Sequence, residues 1–132
     1  MNYLLDTHTF LWMLFDDEKF SKPAKTTLTD LDHAIYVSTI TYWEIALKYA
    51  LGKLELQSIT PDQLPALARK LLLQTLPLSV EDASTFYQLP RLSHKDPFDR
   101  LIIWQAIRGN LTLISKDEWI EDYQRFGLHL LW

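Results

Sequence analysis

Cysteine is absent from the 132 residues, and glycine occurs only three times, at Gly52, Gly109 and Gly127. Without thiols there is no disulfide, no iron–sulfur cluster and no cysteine-ligated zinc. The absence also fits a reducing compartment. No Gly-rich turn follows the first apolar run, which excludes a nucleotide-binding Rossmann fingerprint. No uninterrupted apolar run approaches the roughly 18 residues of a membrane span. The start, Met1-Asn2-Tyr3-Leu4-Leu5-Asp6, lacks the basic segment of a signal peptide. A soluble, cytoplasmic protein with no membrane partner is therefore expected. An excess of positive charge is missing too. Lys plus Arg number 13 against 17 Asp plus Glu, a formal charge of −4, which argues mildly against a bulk electrostatic grip on nucleic acid unless the acids are gathered where cations are held.

What is present points to an ordered core. Apolar residues make up 48% of the chain and aromatics 13%, too many for a disordered segment. The length fits a single domain over 1–132, and no repeat or linker divides it. Five short apolar runs read as strands: 3–5, 35–37, 75–78, 111–114 and 128–131. Four are unbroken, as strands buried on both faces would be. The run holding Pro77 reads as an edge or a strand end. Helices are expected over about 7 to 15, 21 to 32, 39 to 51, 61 to 74, 80 to 88, 97 to 108 and 117 to 124. Gly52 and Gly109 would close two of them. Alternating strands and helices predict an α/β fold, a parallel sheet covered by helices. In such sheets ligands sit beyond the carboxyl ends of the strands.

Acids fall where that rule points. Asp6 follows the first strand directly, and Asp117 follows the run ending at Ile114. Each reads equally as a helix N-cap. Glu44 lies beside an apolar stripe of Ile40, Trp43, Leu47, Ala50 and Leu51, at the edge of the expected buried face. A carboxylate there is costly unless paired, protonated or metal-bound. The alternative is a solvent-facing pair with Lys48, worth about 0.2–0.5 kcal/mol. In His94-Lys95-Asp96-Pro97-Phe98-Asp99-Arg100, Pro97 suits the first helical position, so Asp96 reads first as a cap. Asp99 then enters a helix, Leu101–Ile107, that is apolar almost all round. Three Asp and one Glu thus gather at one end of the expected sheet. Oxygen-only ligation suits Mg²⁺ or Mn²⁺, ions that support phosphodiester cleavage.

These residues resemble PIN-domain ribonucleases, and more narrowly the VapC-type toxins of bacterial toxin–antitoxin pairs. The resemblance spans essentially the whole chain. Its markers are Leu4-Leu5-Asp6-Thr7-His8, Ser38 to Lys48, Gly52-Lys53-Leu54, Leu76-Pro77-Leu78 and Leu89-Pro90. To these are added His94 to Ile102, Leu113-Ile114-Ser115-Lys116-Asp117 and Trp132. The resemblance implies a three-layer sandwich, with four or five parallel strands between helices. It implies that Asp6, Glu44, Asp99 and Asp117 form an acidic quartet holding Mg²⁺ or Mn²⁺. Asp6 and Asp99 would be direct ligands; Glu44 and Asp117 would ligate directly or through water. Asp96, Thr7 and Ser115 would be accessory. The implied activity is metal-dependent cleavage of RNA. The implied partners are a cognate antitoxin and a second copy of the chain.

Arg100 and Lys116 adjoin these acids and are candidates for RNA phosphate contacts, against the more usual role of surface charge. His8 and His94 are candidate proton shuttles. The five tryptophans read as core or dimer packing, with Trp12, Leu11, Leu14 and Phe15 as an apolar face for a partner. Two other functions fit part of the pattern. A haloacid-dehalogenase-type phosphatase also opens on a strand and Asp, but wants a second Asp where His8 stands. A catalytically inert PIN-fold interaction module would not need the four acids.

Overall fold

The computed structural model describes residues 1–93 and 95–132. Strand β1 (Asn2–Leu5) leads to helix α1 (Thr7–Phe15), then α2 (Lys22–Thr29), β2 (Ala34–Ser38) and α3 (Thr39–Ala50). After these come α4 (Leu64–Lys70), β3 (Gln74–Leu76), α5 (Val80–Thr85), α6 (Pro97–Gly109), β4 (Thr112–Ile114) and β5 (His129–Leu131). All pairings are parallel, in the order β3-β2-β1-β4-β5. The expected α/β sheet is therefore present, with five strands.

The strand runs are unbroken because side chains leave both faces of the sheet into apolar layers. Tyr3, Leu5, Ile35, Val37 and Ile114 enter one core, with Phe10 of α1, Ile45 of α3 and Leu64 of α4. Leu4 and Leu113 enter the other, with Ile102, Ile103 and Trp104 of α6 and Tyr123. The two-residue alternation of a strand thus divides one short run between two cores.

Several boundaries differ from expectation. The apolar run at 128–131 is not a strand buried on both faces. As β5 it pairs with β4 alone among the described strands, and His129 is exposed. β3 ends at Leu76, immediately before Pro77, at the other edge. Gly109 remains within α6; Asn110 supplies the left-handed turn, at φ 53°. The helix expected over 61–74 is a 3₁₀ turn at Pro61–Gln63 followed by α4, and Leu72 reverses the chain at φ 62°. The segment expected as a helix over 117–124 is 3₁₀, Glu118–Phe126, and α2 stops at Thr29.

The topology gathers three strand ends. Leu5 lies in register with Val37 and with Ile114, so Asp6, Ser38 and Ser115 leave the same sheet edge side by side. This edge depends on the two cores beneath it. Leu4 is fully buried in the central strand. Its replacement by Ala is expected to cost about 2–5 kcal/mol in denaturant unfolding. Leu31→Ala, at a position 84% exposed, should stay within about 0.5 kcal/mol.

Candidate metal centre

Asp6 is the polar end of an apolar strand, and its surroundings are dry: the residue is 4% exposed. One carboxylate oxygen accepts from the Thr9 backbone N–H at 2.8 Å, which caps α1, and from the Thr9 hydroxyl at 2.8 Å. The Ser115 hydroxyl also bonds this carboxylate. The cap and the buried acid are thus one residue. Thr9 was not singled out from the sequence, although a hydroxyl three residues after an Asp cap is a readable signal. Its hydroxyl also lies 3.0 Å from the Ile114 carbonyl, tying α1 to β4.

Glu44 lies deeper than the sequence pattern indicates. The buried residues of α3 are Ile40, Thr41, Glu44 and Ile45. Of the expected apolar stripe only Ile40 is buried; Trp43 is 58% exposed and Leu51 59%. The stripe misleads because α3 turns apolar side chains outward and sets its one acid inward. The Thr7 hydroxyl donates to Glu44 Oε1 at 2.6 Å and lies 3.2 Å from the Thr41 hydroxyl. Lys48 Nζ meets Oε2 at 2.5 Å. The i,i+4 pair with Lys48 exists, but its carboxylate is buried rather than facing solvent.

Asp96 caps α6, accepting from the Phe98 and Asp99 N–H groups at 2.9 and 3.4 Å, with Pro97 in the first turn. One oxygen from each of Glu44, Asp96 and Asp99 lies within 4.8 Å of the others. Among the described residues this is the mutually close set. It draws in Asp96, expected only as an accessory residue. Asp117 caps the 3₁₀ segment through the Trp119 N–H at 3.0 Å, and its own N–H donates to Ser115 Oγ at 3.1 Å. Asp6 and Asp117 line a cleft of about 400 Å³ with His8, Trp12, Lys116, Glu118 and Trp119. One short bridge joins this cleft to the cluster: Thr7, next to Asp6, bonds Glu44. Within the cleft, Ser115 links Asp6 to Asp117.

The basic candidates part company. Lys116 is exposed in the cleft. Arg100 instead packs its guanidinium over the Phe86 ring at 4.9 Å and donates to the Leu89 carbonyl at 3.1 Å and the Tyr123 hydroxyl at 3.4 Å. Those donors pin the loop before α6 and turn the guanidinium toward it. His8 is exposed in the cleft; His94 lies outside the described residues. Trp12 is only partly buried and packs on Trp132 at 5.7 Å and Phe20 at 6.3 Å. The more exposed tryptophans are Trp43 and Trp119, at 58% and 62%.

The donor set suits a hard divalent cation. Every close ligand atom is a carboxylate oxygen; Glu44 comes from α3 and the two Asp from the start of α6, so their spacing is fixed by the packing of these two helices. Burial pushes the Asp6 carboxyl above its ordinary value of 3.8, against the pull of the Ser115 and Thr9 hydrogen bonds and of His8. The folded chain therefore holds this proton more tightly than the unfolded chain does. Stability then falls as pH rises from about 3.8 through the folded value, and stays at the lower level above it. Asp6→Asn keeps an oxygen for the Thr9 N–H and removes the buried charge. Without divalent ions it is expected to be more stable than the parent at about pH 7, with the difference shrinking toward about pH 4, in urea unfolding across pH.

The fold is shared with known proteins. VapBC2 from Rickettsia felis, in a structure bound to a promoter DNA fragment, is 19% identical with a TM-score of 0.67, over 99% of this chain and 98% of that one. FitAcB from Neisseria gonorrhoeae is 20% identical with a TM-score of 0.63, over 99% and 96%. VapBC-1 from nontypeable Haemophilus influenzae is 22% identical with a TM-score of 0.61, over 99% and 97%. No curated protein gives a significant match. The PIN domain family model matches residues 3–125, from within β1 into the 3₁₀ segment. That span takes in each acid placed above, and the chain belongs to the PIN domain family.

Proposed function

We propose that residues 1–132 form one PIN domain that cleaves RNA with the help of Mg²⁺ or Mn²⁺, as the toxin of a VapC-type toxin–antitoxin pair. The observation that carries the reading is the convergence of Glu44, Asp96 and Asp99 oxygens within 4.8 Å, beside buried Asp6 at the carboxyl edge of the sheet. Asp6, Glu44, Asp99 and Asp117 would hold the ion, with Asp96 assisting. When bound, such an ion lowers the pKa of water and offsets charge developing on a phosphodiester.

The chain's own residues do the rest. Thr7 directs Glu44 Oε1, and Thr9 and Ser115 fix the Asp6 carboxylate, so the ligand oxygens are held before any ion enters. Lys116, exposed in the cleft beside Asp6 and Asp117, offers a cation to a substrate phosphate. His8 lines the same cleft and is the candidate proton shuttle of this reading. The solved neighbours were crystallised as VapBC and FitAcB assemblies. By likeness to a solved member of the VapBC family of toxin–antitoxin systems, we infer an antitoxin as a partner of this chain; a second copy of itself and a cytoplasmic site of action belong to the same proposal. No helix among the described residues is long and apolar enough to cross a membrane.

The test is cleavage of a panel of structured RNAs by the purified chain freed of any antitoxin. Cleavage should require Mg²⁺ or Mn²⁺, stop with EDTA, and fall by about 10²-fold or more in Asp6→Asn and Asp99→Asn. Full activity in either variant sinks the metal-centre reading. A folded chain that cuts no RNA with either ion leaves the interaction-module reading standing. Lys116→Ala should raise KM with little change in kcat, the mark of a binding contact. Arg100→Met should instead lower stability by about 1–3 kcal/mol, through the carbonyl and hydroxyl it leaves unpaired.

A further inference from the structure

Lys48 has no place in the chemistry above, yet its ammonium lies against the acidic cluster. It contacts Glu44 Oε2 at 2.5 Å, and its charge is coupled to Asp96 and Asp99 as well. We propose that Lys48 is a resident counter-ion, an internal cation that must leave before a divalent ion can enter. The proposal rests on the metal-centre reading and adds how that centre is loaded.

Both oxygens of Glu44 are engaged. Oε1 accepts from Thr7 and Oε2 from Lys48. An ion that takes Oε2 at the short distance of about 2.0–2.1 Å typical of Mg²⁺ meets the ammonium in the same space. Like charges at such range repel strongly when one carboxylate is 2% exposed. Loading is therefore an exchange, in which one divalent ion enters and one ammonium moves out. Thr7 is untouched, so Oε1 keeps its direction while Oε2 changes partner.

The exit is built as well. The Lys48 side chain is 33% exposed and carries its charge on a flexible four-carbon stem. Its Nζ already lies 5.9 Å from the Phe98 ring centroid, and Phe98 is held edge-on by Trp43 at 5.1 Å. That aromatic face receives the displaced ammonium at small cost. Without Lys48, the buried Glu44 Oε2 loses its ammonium partner until an ion arrives.

The experiment compares Mn²⁺ binding by the parent, Lys48→Met, Lys48→Arg and Asp99→Asn, using electron paramagnetic resonance of the free ion and no substrate. Lys48→Met should bind Mn²⁺ about tenfold more tightly, the effect expected from removing one close like charge. Lys48→Arg should stay near the parent. The ion-free Lys48→Met protein should unfold at lower urea than the parent, and saturating Mn²⁺ should erase that gap. Equal or weaker Mn²⁺ binding by Lys48→Met overturns the exchange while leaving the metal centre intact. Parent binding that is absent, or unchanged in Asp99→Asn, overturns the metal centre and the exchange with it. Should Lys48→Met fail to fold, Lys48→Gln carries the same comparison.

Discussion

Placing carboxylates in a dry site at the edge of a parallel sheet is the constraint on which the rest of this structure depends. An ionised carboxyl removed from water is strongly unfavourable unless donors or cations surround it. The chain meets the demand with local, inexpensive donors. Asp6 draws on the first turn of α1 and on two hydroxyls, Asp96 on the first turn of α6, and Glu44 on Thr7 and Lys48. Capping and site construction are the same act here. A helix start needs an acceptor, and the acceptor is then held rigidly where strands end.

This double use explains what the sequence does and does not reveal. Asp6, Asp96 and Asp117 each support a capping reading and a site reading, and each in fact caps. Local pattern cannot separate two roles that one geometry fulfils. The runs of β1, β2 and β4 were readable because their side chains alternate into two apolar cores; the edge strands, with Gln74, Thr75 and His129 exposed, carry a weaker signal. Helix ends were less readable. Asn110, not Gly109, takes the left-handed turn, and the 3₁₀ segment at 118–126 has no periodicity that distinguishes it from an α-helix.

Helix α3 is where pattern fails outright. Trp43, Leu47 and Leu51 suggest an inward stripe, yet the inward face carries Thr41 and Glu44 between Ile40 and Ile45. A buried polar pair among apolar neighbours inverts the usual amphipathic signal, since hydropathy scores the outward tryptophan as core. Arg100 shows the converse. Beside site acids in sequence, it is turned by the carbonyl of Leu89 and the ring of Phe86 into a brace. Adjacency along the chain fixes where a Cα lies, not where a long side chain is satisfied.

The Thr9 hydroxyl has three acceptors around its single proton. They are the Asp6 carboxylate at 2.8 Å, the Asp6 carbonyl at 3.1 Å and the Ile114 carbonyl at 3.0 Å. It can satisfy only one of them fully at a time. While Asp6 carries an uncompensated charge, the carboxylate is the strongest claimant. Once that charge is offset, the proton is free to turn toward Ile114 and strengthen the tie between α1 and β4. A single rotor thus makes the cohesion of the first helix with the sheet depend on the charge state of the first acid.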